Sequence, residues 1–122
     1  MPMMRMTKAG RNALNDSMEE NDLVVLLGED IATVGDVFEV TEGLLSTTGP
    51  TRVRDISISE VGFLRAATTG LRLAVEMMYV KVIGVAHDQL VTGAAKMRYL
   101  PHGTLRLLLV VGDSPILVVH RD

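Results

Sequence analysis

Leu23-Val24-Val25-Leu26-Leu27-Gly28-Glu29-Asp30 is the stretch on which the fold turns. Five apolar residues run without polar alternation and stop at a glycine, the pattern of a short strand buried on both faces, as in a parallel sheet covered by helices. Two acids follow where the chain leaves the C-terminal end of that strand, and open α/β sheets bind their ligands along that edge. Upstream, residues 6–20 read as a helix, with Ala9, Ala13, Leu14 and Met18 as its apolar positions and Asn21-Asp22 as its stop.

Downstream, the pattern is weak from Ile31 to Pro50, with a short helix over 39–47 broken by Gly49-Pro50. Residues 52–58 read as a second strand leading into a helix over 60–69, which Gly70 ends. A third strand follows over 71–79. Residues 83–99 give the clearest helix, with Ile83, Ala86, Leu90, Ala94 and Met97 on one stripe and His87, Asp88 and Arg98 off it. Pro101-His102-Gly103 is a turn, 105–111 is the most hydrophobic strand, and 116–119 is a further strand after Pro115. Strands alternating with helices predict a three-layer α/β/α domain with a mainly parallel sheet, its strands at 23–27, 52–58, 73–78 and 105–111 being parallel neighbours.

Composition narrows the function. The chain has 122 residues, the size of one domain, and 48% of them are apolar, enough for a packed interior. Twelve basic against fifteen acidic residues give a net charge of −3, and only Phe38, Phe63, Tyr79 and Tyr99 are aromatic. A nucleic-acid binder needs a basic face and usually stacking aromatics, so that class is disfavoured. With no cysteine, disulfides, thiolate metal sites and cysteine nucleophiles are excluded. No signal-peptide pattern and no apolar run near the ~20 residues of a membrane span is evident, so the expectation is a cytoplasmic domain without a membrane partner.

Several motif matches fail on context. His120-Arg121-Asp122 has the letters of a kinase catalytic loop but neither the glycine loop nor the metal-binding Asp-Phe-Gly. His87-Asp88 lacks the further histidine that a metal-dependent phosphohydrolase requires, and three scattered histidines make no metal cage. No phosphate-cradling glycine motif is present. Ile58-Ser59-Glu60-Val61-Gly62-Phe63 sits at a strand-to-helix junction and puts a carboxylate at the ligand edge. Ser57 and Glu60 also have capping-box spacing, in which each side chain satisfies a free amide of the helix start, and an acid in a first helical turn is favoured by the dipole. Cap and functional group both fit these residues.

An ordered set of segments carries a resemblance: Gly28-Glu29-Asp30, Thr41-Glu42-Gly43-Leu44, Ile58-Ser59-Glu60, Gly70-Leu71-Arg72, Val75-Glu76, Asp88-Gln89-Leu90 and Ala94-Ala95-Lys96-Met97-Arg98-Tyr99. From about residue 7 to about residue 111 the chain resembles the beta subunit of the decarboxylating first component of pyruvate and branched-chain 2-oxo acid dehydrogenase complexes. The resemblance implies the pyrimidine-binding domain fold of thiamine-diphosphate enzymes and thiamine-diphosphate-dependent oxidative decarboxylation. In that family the glutamate matching Glu60 hydrogen-bonds a ring nitrogen of the aminopyrimidine and promotes the tautomer that removes the thiazolium proton. It further implies that Ile58 lines the pyrimidine pocket, that Glu29 lies among acids near it, and that Val82 stands where the family places an aromatic against the pyrimidine. Diphosphate and magnesium fall to a partner alpha subunit, and Gly112-Asp113-Ser114 is not the Gly-Asp-Gly motif that holds them, so this chain has no metal ligands of its own.

The chain departs from the family elsewhere. The helix after Glu60 is about four residues shorter, roughly one turn. Ile56-Ser57 replaces Thr-Pro, Leu108 replaces a proline, and Gly112 replaces the arginine that closes its strand. The expectation is one pyrimidine-binding-like domain over 1–122, truncated relative to the family and without the second domain of the beta subunit. Two functions follow: a dehydrogenase subunit that needs an alpha-type partner, or a non-catalytic interaction or oligomerisation domain that kept the fold. Met77-Met78 and the run at 107–109 look more apolar than a lone edge needs, so a homo-oligomer is expected where no alpha subunit is present.

Overall fold

The strand at the centre of the reading exists as β1, Val24–Gly28. In the computed structural model of the chain, the described residues are 5–33, 39–57, 62, 69–77, 83–97, 106–111 and 116–119. They form α1 (Met6–Glu20), β1, α2 (Leu44–Thr48), β2 (Val53–Asp55) and β3 (Arg72–Met77). There follow α3 (Ile83–Asp88), a π-helical segment (Gln89–Ala94), α4 (Ala95–Met97), β4 (Arg106–Val111) and β5 (Ile116–Val119). The helix expected over 60–69 lies largely outside the described residues.

Among the described residues the strands form one sheet in the order β2-β1-β3-β4-β5. β1 pairs parallel with β2 and with β3, and β3 pairs parallel with β4, as the sequence predicts. β5 joins antiparallel to β4. The step from β1 to β2 runs in the opposite direction across the sheet from the step from β3 to β4. Right-handed crossovers then demand helices on opposite faces. The core obeys that rule. Leu14, Met18, Val24, Leu26, Ile31, Leu44, Val53 and Ala74 make one buried cluster, which joins α1 and α2 to the sheet. Leu73, Val75, Met77 and Ala86, with Leu27, Ile83 and Leu90 packed against them, make the other under α3. The domain therefore has three layers. Adjacent residues of β3 enter different clusters because successive side chains of a strand point to opposite faces.

Particular elements differ from expectation. In α1, Leu14 and Met18 are buried but Ala9 and Ala13 are exposed. The inward stripe instead runs through Thr7, Gly10 and Arg11, all half-buried, and Gly10 leaves room for Val40, whose Cγ1 would lie 3.5 Å from a Cβ there. The stripe at 83–97 is broken by the π segment: a wider i→i+5 turn replaces regular α geometry at Gln89–Ala94. Met77 is buried in the second core cluster, and β4 is an interior strand between β3 and β5.

One side chain ties the layers together below the sheet. Arg52, just ahead of β2, donates through Nη2 to the carbonyls of Met18 (2.7 Å) and Asn21 (2.8 Å) and through Nε to that of Val24 (3.0 Å). Two of these carbonyls belong to the last turn of α1 and its C-cap, where no helical partner is available. Hydrogen bonds from a charged donor to part-buried acceptors are worth more than neutral ones. Arg52→Ala is expected to lower unfolding stability by about 2–4 kcal/mol, read from urea denaturation, because it removes three charge-assisted hydrogen bonds, of whose acceptors the Asn21 carbonyl keeps the Val24 amide at 3.1 Å. Arg52→Lys should recover less than half of that loss, since an ammonium lacks the planar fork.

Candidate functional site

In a doubly wound sheet the crevice opens where neighbouring strands send their crossovers in opposite directions, outside the strands' C-terminal ends. Here that switch point lies between β1 and β3. Glu29 leaves the end of β1, half-buried, and Glu76 is the penultimate residue of β3. The two acids therefore flank the switch point at one edge.

Glu76 is the residue that reading the sequence for function missed. It is 2% exposed, inside a strand whose residues from Leu73 to Met77 are all buried. Burying a carboxylate costs several kcal/mol unless its charge or proton is accommodated, so packing alone does not explain one in a core strand. The available signal was an acid interrupting Leu73-Ala74-Val75-Met77, which the periodicity treats only as a strand. Gly28 makes room for it: a Cβ on Gly28 would lie 2.9 Å from the Glu76 Cβ, 3.2 Å from its Oε2 and 2.8 Å from Ile31 Cγ2. The glycine that stops the β1 run is thus a contact surface for the acid on β3, not only a turn former.

Beyond Gly28 the chain turns back over the end of β2. Asp30 takes a left-handed conformation, φ 55°, and Ile31 drops into the first core cluster. The Ala32 amide then donates to Asp55 Oδ1 at 2.7 Å, and the Thr33 hydroxyl to Asp55 Oδ2 at 2.6 Å. Buried Thr41 donates its hydroxyl to the Ile31 carbonyl at 3.2 Å. Of the residues expected at the site, Glu29 follows the C-terminal end of β1, whereas Ile58, Glu60 and Val82 lie outside the described residues. His87 and Asp88 are exposed on α3, as a solvated pair would be. Among the described residues no group of three or more His, Asp or Glu is arranged to hold a metal ion, and no helix is long and apolar enough to cross a membrane.

The family model for the transketolase pyrimidine binding domain matches residues 2–112. The chain belongs to that family. Among curated proteins, the transketolase pyrimidine-binding chain is 40% identical over 104 residues to the 2-oxoisovalerate dehydrogenase subunit beta of Pseudomonas aeruginosa, covering 82% of this chain and 30% of that protein. It is 40% identical over 108 residues to the pyruvate dehydrogenase E1 component subunit beta of Rickettsia bellii, covering 82% of this chain and 33% of that one. To the acetoin:2,6-dichlorophenolindophenol oxidoreductase subunit beta of Bacillus subtilis it is 34% identical over 125 residues, covering 89% and 36%. The chain spans about a third of the length of these curated relatives.

The close approach at Gly28 is directly testable. Gly28→Ala is expected to cost about 1–3 kcal/mol in urea unfolding, because Ile31 and the Glu76 stem must both move to admit the methyl. A variant of wild-type stability would show that β1 and β3 are less tightly apposed than described.

Proposed function

We propose that this chain supplies the pyrimidine side of a thiamine diphosphate site in a two-chain 2-oxo acid dehydrogenase component, with an alpha-type partner holding the diphosphate and magnesium. The observation that carries the reading is the match of the pyrimidine-binding family over residues 2–112, in a chain that presents acids at its sheet's switch point. The likeness to 2-oxoisovalerate and pyruvate dehydrogenase beta subunits supports this reaction class within the family.

The donor chemistry at the edge fits this division of labour. Glu29 and Glu76 are carboxyl groups, able to accept from an exocyclic amine or share a proton with a ring nitrogen. The same groups would repel a diphosphate, so the anionic end belongs with another chain. When bound, thiamine diphosphate supplies the electron sink for decarboxylation.

The remaining work falls to this chain's residues. By the family resemblance, Glu60 would hold a proton for a pyrimidine ring nitrogen, and Ile58 and Val82 would give the ring an apolar wall. Glu29 adds an acceptor nearby. The small side chain of Val82 leaves more room than the family's aromatic, so the wall contributes less dispersion contact to binding. Residues 1–122 act as one pyrimidine-binding unit, and the cytoplasm is the compartment proposed for it.

The test is a calorimetric titration of thiamine diphosphate with magnesium, with and without an alpha-type chain. Binding is expected only with the partner present, and binding in neither case would overturn the reading. In a complex that turns over a 2-oxo acid, Glu60→Gln should reduce decarboxylation about 10²- to 10⁴-fold, because an amide cannot exchange the proton. Its unfolding stability should stay near wild type, since Gln makes the same backward hydrogen bond in a capping box. Turnover and stability both near wild type would assign Glu60 to the cap.

A further inference from the structure

Glu29 is the site candidate whose backbone setting is fully described, and that setting is fixed from one strand. Before it, the Ile56 amide donates to the Gly28 carbonyl at 2.9 Å. After it, Ala32 and Thr33 are both held by the Asp55 carboxylate, at 2.7 and 2.6 Å. Gly28 and Asp55 are register partners across the parallel pair, so both anchors come from the end of β2. Only Glu29, Asp30 and Ile31 lie between them. Asp30 is in the left-handed region, φ 55°, and the Ile31 side chain is 1% exposed with its carbonyl held by Thr41. Three residues spanning two fixed points, with one in a conformation that non-glycine residues rarely adopt, have little freedom. A carboxylate suits the second anchor because its two oxygens accept from an amide and a hydroxyl at once.

We propose that Asp55 is a positioning residue that sets where the Glu29 carboxyl group is offered at the ligand edge. The proposal rests on the thiamine diphosphate reading above. Asp55 acts through the turn and touches no ligand itself. Its two bonds fix the exit direction of β1, and the exit direction fixes the Glu29 side chain.

A double-mutant cycle on cofactor affinity tests this in the complex reconstituted with the alpha-type chain. Thiamine diphosphate with magnesium is titrated by calorimetry into Asp55→Ala, Asp55→Asn and Thr33→Val, each in wild-type and Glu29→Gln backgrounds, with melting temperatures of the cofactor-free proteins measured alongside. Asp55→Ala should weaken binding about tenfold and Thr33→Val about threefold, in proportion to the charge-assisted bonds removed. Asp55→Asn should restore most of the affinity, since its amide can still accept from Ala32 and donate to the Thr33 oxygen. In the Glu29→Gln background Asp55→Ala should add less than about twofold, because the group it positions is already altered. Equal losses in both backgrounds, or a lowered melting temperature with unchanged affinity, would reduce Asp55 to a structural role and overturn the proposal. Should Asp55→Ala fail to fold, Thr33→Val decides, as it removes one exposed hydroxyl. A wild-type complex that binds no thiamine diphosphate brings down the functional reading and this proposal together, whereas binding that is indifferent to Asp55 and Thr33 brings down this proposal alone.

Discussion

The guanidinium of Arg52 reaches three carbonyls that belong to the end of α1, the turn after it and the first residue of β1. It thereby locks β2 against the α1–β1 corner at the bottom of the sheet, while the Leu26 amide donates to the Arg52 carbonyl at 2.7 Å to begin the ladder. From that point the register follows: Leu26 opposite Val53, Leu27 opposite Arg54, Gly28 opposite Asp55. A slip of one residue would send Val53 out of the core and carry Asp55 away from the turn it grips. The ligand edge at the top of the sheet is thus set by an arginine at the bottom, three residues along a short strand.

What the edge contains is expensive to hold. Glu76 gives up hydration inside a strand otherwise made of Leu, Ala, Val and Met, and Gly28 forgoes a side chain so that the acid fits. Local choices that oppose burial or packing tend to persist where a function uses them. The two concessions lie side by side at the crevice between β1 and β3, and the exposed acids of α1, such as Asp16 and Glu20, involve no such concession. Position, more than the number of acids, separates the candidate site from the merely acidic surface.

Much of the architecture is legible in the residues. The unbroken run at 23–27 announces an interior strand because no polar position is available to face water, and the run at 107–111 in β4 does the same. The antiparallel entry of β5 and the sheet order are tertiary facts that periodicity does not encode. The inward face of α1 misleads because Gly10 and Arg11 lie on it while two alanines face out; small and long polar residues fill that contact better than a hydrophobicity pattern suggests. Glu29 is legible from the rule that strand ends bind ligands. Glu76 is not, because a period-two reading gives a strand acid no meaning until its neighbours are known to be buried on both sides. Asp55 is invisible for a different reason: its partners, Ala32 and Thr33, are more than twenty residues away, and only the parallel register brings them within reach. For Ile58, Glu60 and Val82 the family resemblance supplies what periodicity cannot, since their assigned roles depend on a bound molecule.

The wide turn at Gln89–Ala94 carries one more residue per hydrogen-bonded ring than the α-helical turns on either side. Such a segment is a local surplus of chain, and its ends rejoin regular helix at Asp88 and Ala95 without displacing the ring of contacts that Ala86 and Leu90 make with the sheet. The helix can therefore gain or lose a residue there during divergence while the strand it covers stays in register. Where a sheet demands a fixed alternation and forbids single-residue changes, this helix has a place to absorb them, on the layer facing away from α1.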